Sequence, residues 1–289
     1  MLMDLGPRTM SSKARTPLIA VVAVLALAQA VSSTQSQEAS REPAPAANVA
    51  RRLIDGYPGI VTGVEGNAVI FADGTTLPLD DGKSEKPFAA WLANPDIEDM
   101  LRLPYPVGAP ATAPPRNFDP GRARNAAFFA KVYGDCKAHE VEAKLESVVW
   151  LPAKYGRTIK VTAINGVAAK LRAISAELDR LGPQFDVDLF PIGGTYACRN
   201  VAGTASRSAH AYGIAIDIAL KHAHYWRWEK QRPDGTIAYR NAIPMEIVAV
   251  FEKHGFIWGG RWYHHDSMHF EYRPELLGQP SPPATTQKP

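Results

Sequence analysis

The sequence predicts an α+β fold, and three observations carry that prediction. Between Tyr57 and Leu79, short β-rich runs (Ile60-Val61, Val69-Ile70-Phe71, Leu77) are separated by Gly63 and by the turn dipeptides Gly66-Asn67 and Asp73-Gly74. That is the pattern of two or three hairpin strands. Later segments space apolar residues three and four apart, as helices do. Strand-like and helix-like segments then follow one another without the regular alternation of a doubly wound parallel sheet.

The chain begins with what reads as an export signal. Arg8, Lys13 and Arg15 precede an unbroken apolar run of 11 residues, Leu18 to Ala28, and Ala28-Gln29-Ala30 offers small residues at a cleavage position. The run is well short of the ~20 residues a spanning helix needs, which favours cleavage near Ala30 over a retained membrane anchor. The expected location is therefore periplasmic or secreted, with no membrane span left after cleavage. Without residues 1–30, Lys+Arg falls from 32 to 29 and Asp+Glu from 29 to 28, so the formal charge goes from +3 to +1. A nearly neutral chain with no run of Lys or Arg argues against a nucleic-acid partner.

Residues 31–50 are polar, Ala/Pro-rich and aperiodic, as in a disordered linker. A small β-rich accessory segment is expected over 51–102, then a Pro-rich connection over 103–116. The main domain is placed at 117–277 and a disordered tail at 278–289. Within that domain a helix is expected around Arg122 to Val132, where Ala126, Phe129, Ala130 and Tyr133 recur. Val148-Val149-Trp150 and Thr158 to Ala163 read as strands about a Tyr155-Gly156 turn. Asn165 is read as the N-cap of a helix whose stripe is Val167, Leu171, Ile174, Leu178 and Leu181, stopped by Gly182-Pro183. A last helix runs from Pro244 to about His254, with Gly255 beyond it. Cys136 and Cys198 are the only cysteines. An exported chain favours a disulfide between them, although two buried free thiols fit the sequence as well.

Two stretches carry chemistry. In Ser208-Ala-His-Ala-Tyr-Gly-Ile-Ala-Ile-Asp217, residues from Gly213 onward alternate, with Ile214, Ile216 and Ile218 on one face. The other face has only small side chains ending in the Asp217 carboxylate, and a turn at Tyr212-Gly213 would bring His210 back toward it. In Trp262-Tyr-His-His-Asp-Ser-Met-His-Phe-Glu-Tyr272, His269 and Glu271 share a face. Asp266 stands three residues before His269, so the two cooperate only if the backbone bends or bulges near Ser267. Two nitrogens and a carboxylate with a fourth position open describe a catalytic zinc site, and a carboxylate that is not a ligand is then needed as general base. On spacing alone His264 and His265 compete with His269. His222 and His224 form a further His-x-His, within an aromatic stretch read as a rim or lid over the cleft.

Ser208-x-His210-x-x-Gly213-x-Ala215-x-Asp217 followed by Asp266-x-x-His269 resembles the zinc D-alanyl-D-alanine carboxypeptidases of the VanY type and the related L-alanyl-D-glutamate endopeptidases. The resemblance covers about residues 117–277 and implies the Hedgehog/DD-peptidase α+β fold, a small antiparallel sheet flanked by helices. It implies one zinc ion held by His210, Asp217 and His269, with Asp266 as base. It also implies an arginine on the substrate carboxylate or developing oxyanion. Arg199 suits that role best, and Arg207 is the nearer but weaker choice. Ser208, Tyr212 and Trp258 are expected at the substrate, Ser208 also bracing the His210 loop and the aromatics walling the cleft with Trp262. The implied activity is hydrolysis of peptidoglycan stem peptides by a monomer, at either a terminal or an internal bond. A zinc-containing cell-wall binding module without turnover is the alternative. A third reading gives the function to residues 57–79, with the C-terminal domain as support.

Overall fold

The computed structural model describes residues 46–278. The expected signal, the linker up to residue 45 and the tail from residue 279 lie outside the described residues. The fold is α+β. Helix α1 (Ala46–Gly56) leads into a three-stranded antiparallel sheet of β1 (Val61–Glu65), β2 (Ala68–Phe71) and β3 (Thr76–Pro78). Short helices α2 (Phe88–Ala93) and α3 (Ile97–Leu101) follow, then α4 (Ala126–Tyr133), the hairpin β4 (Leu145–Trp150) and β5 (Arg157–Thr162), and α5 (Val167–Leu178). After the single turn α6 (Asp186–Leu189) come β6 (Ile192–Gly194), β7 (Ala215–Ala219), α7 (Met245–Lys253), β8 (Phe256–Trp258) and β9 (His269–Tyr272). The last four strands form an antiparallel sheet in the order β6-β7-β9-β8. Its core face packs on α7, where Phe251 stacks on Phe270 with ring centroids 3.9 Å apart. Among the described residues, no helix is long and apolar enough to cross a membrane.

Three local expectations are corrected. Helix α1 begins inside the stretch read as a linker, because Val49, Leu53 and Tyr57 recur at four-residue spacing and are all buried. The surrounding Ala/Pro composition masks that short stripe. Helix α4 starts at Ala126 rather than Arg122, because the Asn125 side chain caps it, accepting from Phe128 N at 2.8 Å. Arg122 and Arg124 consequently lie on non-helical chain. Asn165 is not a cap but adopts φ 52°, and its side chain donates to Gly56 O at 2.8 Å. It ties the start of α5 to the end of α1.

The β-rich segment shares one hydrophobic core with the rest of the described chain. Phe71 of β2 and Tyr57 lie 6.0 and 4.9 Å from the Phe128 ring of α4. A buried ionic ladder makes a second connection. Glu271, Arg273 and Glu275 are all at most 1% exposed. Arg273 bonds Glu271 at 3.1 Å and Glu275 at 2.5 Å, while Tyr57 Oη donates to Glu275 at 2.9 Å and Arg52 Nε to the Glu275 carbonyl at 2.9 Å. Buried charges persist only when each is paired and hydrogen-bonded. The N-terminal helix thus supplies partners for a ladder that runs into β9.

Removing the Tyr57 hydroxyl as Tyr57→Phe takes one charge-assisted bond from buried Glu275. The expected cost is about 1.5–3 kcal/mol of stability, read as a lower urea midpoint. An unchanged midpoint would show that this connection does not stabilise the fold.

Candidate metal centre

The pairing of β7 with β9 sets Asp217 opposite His269 and Ala215 opposite Glu271. Side chains alternate along a strand, so these four share one face while Ile216, Ile218, Phe270 and Tyr272 enter the core. Ala215 leaves room beside the longer Glu271. His210 comes from a single 3-10 turn, Ala209–Tyr212, capped by Ser208, whose Oγ accepts from His210 N at 3.4 Å. Gly213 then reverses the chain into β7 with φ +69°, where a Cβ would lie 2.9 Å from Leu145 Cδ2 and 3.0 Å from Thr162 N. Only glycine satisfies both the left-handed turn and that close approach.

The result is a cluster of three donor atoms. Asp217 Oδ1 lies 2.9 Å from His269 Nδ1 and 3.1 Å from His210 Nε2, and the two nitrogens are 3.2 Å apart. Zinc bonds nitrogen and oxygen at about 2.0–2.1 Å, so neighbouring ligands on its tetrahedron are separated by roughly 3.3 Å. The triangle formed by this chain fits that edge. The remaining ring nitrogens are also committed: His210 Nδ1 donates to the Thr195 carbonyl, and His269 Nε2 to Glu271 at 3.0 Å. These bonds select the tautomers that aim a lone pair from each ring at the same point. When protons rather than a cation bridge the three donors, burial opposes the charge on Asp217, but hydrogen bonds from both histidines outweigh it and hold the carboxyl well below its usual range. Burial likewise opposes a proton on His269, yet Asp217 and Glu271 push that group up to about 10. Such surroundings stabilise positive charge, as a cation site must.

Glu271 is itself held in place. Burial disfavours its charge, but Arg124, His269 and Arg273 together keep the carboxyl well below the usual range. Arg124 Nε reaches both carboxylate oxygens at 3.1 Å and Nη2 reaches Oε2 at 2.5 Å.

Asp266 reaches the site through a turn at Ser267-Met268, the bend expected near Ser267. Its amide donates to Gly259 O at 3.0 Å, and its carbonyl accepts from His269 N at 3.1 Å, so β9 starts immediately after the turn. A Cβ on Gly259 would lie 2.5 Å from Asp266 O, so this approach also needs glycine. Asp266 lines a cavity of about 230 Å³ together with His210, Asp217 and His269. Its Oδ1 is enclosed and has no hydrogen-bond partner among the described residues. Burial raises its carboxyl to about 6.

Other expected residues divide cleanly. Arg199 and Ser208 line the same cavity, with Arg199 exposed at its rim. The Arg199 loop is pinned by the Cys136–Cys198 disulfide and by Ser208 N donating to Arg199 O at 3.2 Å. Arg207 turns away, toward Asp135 at 3.6 Å. Tyr212 and Trp258 are corrections: both are buried in the core, Tyr212 against Phe129 and Trp258 with Nε1 on Ser267 O at 2.8 Å. Their apolar rings complete the packing beneath the sheet instead of facing the cavity. Trp262 does line it, as do Tyr225 and Trp228 of the aromatic stretch read as a rim, Trp228 being 61% exposed. His264 is occupied by Asp119 at 2.5 Å, His222 by Asp188 at 2.9 Å and His224 by Glu229 at 3.2 Å, so none joins the cluster. His265 is fully buried beside Tyr239. Arg122, Arg124 and Thr195 were not anticipated. Arg124 lies 147 residues from Glu271, and only the shared strand face of His269 and Glu271 hinted that the acid would matter.

Residues 202–272 match the D-alanyl-D-alanine carboxypeptidase family, a stretch that contains His210, Asp217, Asp266 and His269. This match bears out the resemblance read from the sequence. No curated protein matches the chain.

The Asp266 carboxyl generates a sign-specific expectation. The folded chain keeps its proton up to about pH 6, whereas the unfolded chain releases it near 3.8. The metal-free protein therefore loses stability as pH rises between those values. Asp266→Asn should melt higher than the parent at neutral pH in the presence of chelator, with the two curves converging near pH 4. Equal melting temperatures at neutral pH would contradict the burial cost.

Proposed function

We propose that this chain, whose residues 202–272 carry the D-alanyl-D-alanine carboxypeptidase pattern, is an exported zinc metallopeptidase of peptidoglycan stem peptides. The observation that carries the reading is the convergence of His210 Nε2, Asp217 Oδ1 and His269 Nδ1 on one point in a cavity that also holds an unpartnered carboxylate. When bound there, zinc supplies Lewis acidity and lowers the pKa of water to about 7. A cation there would displace the protons on the inner ring nitrogens, so His210 and His269 would provide neutral nitrogens while their outer N–H groups stay donated to Thr195 and Glu271. Asp217 supplies one negative charge.

Asp266 is the general base. Its enclosed oxygen and raised pKa describe a carboxylate that gains by taking a proton from the attacking water. The same group then delivers that proton to the departing amine. A metal held only for structure needs no spare acid within its cavity, which favours turnover over a binding module. Arg199, exposed at the rim, presents a guanidinium to a substrate carboxylate or to the oxyanion as it forms.

Mass analysis of muropeptides incubated with the zinc-loaded protein tests the activity and identifies the bond cut. Asp266→Ala should keep zinc while lowering turnover by roughly 10²–10⁴-fold, and His210→Ala should lose zinc. Intact muropeptides with the parent protein would leave a binding module as the function. Undiminished turnover in Asp266→Ala would remove that residue from the mechanism. Glu271→Gln should weaken zinc affinity by about 10–100-fold, measured by competition with a chelator; an unchanged affinity would show that Glu271 does not orient His269.

A further inference from the structure

Three arginines line the cavity, and they differ in what holds them. Arg124 is taken up by Glu271. Arg199 sits at the border formed by the Ser208 loop. Arg122 comes from a separate segment of the wall, where its Nη1 donates to His264 O at 2.9 Å and its guanidinium lies over the Trp262 ring at 5.5 Å. Trp262 is 3% exposed and anchored by its own Nε1 bond to Pro120 O at 2.6 Å. Arg122 has no carboxylate within ion-pair distance among the described residues, yet it is half-buried in the wall. Its remaining donors are thus uncommitted to acid, while backbone and ring fix the plane of the fork. A guanidinium held this way binds a planar anion at little cost in side-chain freedom.

We propose that Arg122 is a substrate-carboxylate clamp, so that the preferred substrate is a stem peptide with two free carboxylates in the cavity, one at Arg199 and one at Arg122. The proposal rests on the peptidase reading for the identity of the substrate. Peptidoglycan stems carry side carboxylates that also exist in amidated form, and amidation removes the charge a guanidinium reads without changing the peptide backbone. Arg122 would therefore make the enzyme sensitive to stem amidation. Balancing the negative charge of Asp266 is the competing role for this arginine, and it would be blind to the substrate's own carboxylates.

The test compares a free-acid stem pentapeptide with the same peptide amidated at its D-glutamate and diaminopimelate side carboxylates. The zinc-loaded parent should prefer the free acid. Arg122→Gln should raise KM for the free acid roughly tenfold or more, leave kcat within a few-fold, and leave KM for the amide unchanged. Melting temperature and zinc content should match the parent. Should Arg122→Gln fail to fold, Arg122→Lys keeps the charge but lacks the fork, and should still weaken the free acid alone. Equal effects on both peptides, no preference in the parent, or a shifted pH profile without a change in selectivity would overturn the proposal. Should the parent cleave neither peptide, the peptidase reading fails instead. Calorimetric binding of the two peptides to parent and Arg122→Gln then still decides whether Arg122 reads the carboxylate.

Discussion

The antiparallel register of β7 and β9 is the constraint on which the site depends. It sets Asp217 and His269 side by side, and in the same step directs Glu271 onto the His269 ring and the isoleucines and Phe270 into the core. A slip of one residue would exchange the two faces, burying Asp217 and His269 among apolar side chains and exposing Ile216 and Phe270. The core therefore enforces the geometry of the donors: the hydrophobic face selects the register, and the register selects the face that carries them. His210 is added by an independent device, the turn that Gly213 alone can make.

Behind the donors, charge is organised in layers. Glu271 fixes His269, Arg124 and Arg273 fix Glu271, and Glu275 with Tyr57 and Arg52 closes the ladder against α1. Glu271 is held ionised by Arg124, His269 and Arg273 around it. Asp266 behaves in the opposite way, since burial without a partner for Oδ1 raises its pKa instead of lowering it. Two aspartates in one cavity thus have opposite tendencies, Asp217 as a permanent anion and Asp266 as a group able to take and release a proton. That separation of pKa values is how one site can both hold a cation and handle protons.

The same layering changes the status of the N-terminal elements. Residues 51–102 were expected to form an accessory segment, but they contribute Tyr57 and Arg52 to the buried ladder and Phe71 to the central core. The disulfide pins the loop whose Thr195 carbonyl orients His210 and whose Arg199 lines the cavity. Support for the site therefore comes from segments well before the donor residues in sequence.

Much of this protein was legible in its residues alone. The α+β class, the helices α5 and α7, the β4–β5 hairpin and the sharing of a face by His269 and Glu271 follow from periodicity, which is a local property. The ten-residue run from Ser208 to Asp217 carries its own turn and strand, so His210 and Asp217 could be paired before any fold was known. What only the tertiary structure decided are contacts between residues far apart in sequence. It selected His269 over His264 and His265 by strand register, settled the bend near Ser267 as a turn, and moved Tyr212 and Trp258 from the cleft to the core. It also brought Arg122 and Arg124 to the site across more than 140 residues. No local pattern encodes such approaches, because they are set by packing of the whole chain rather than by the spacing of neighbours.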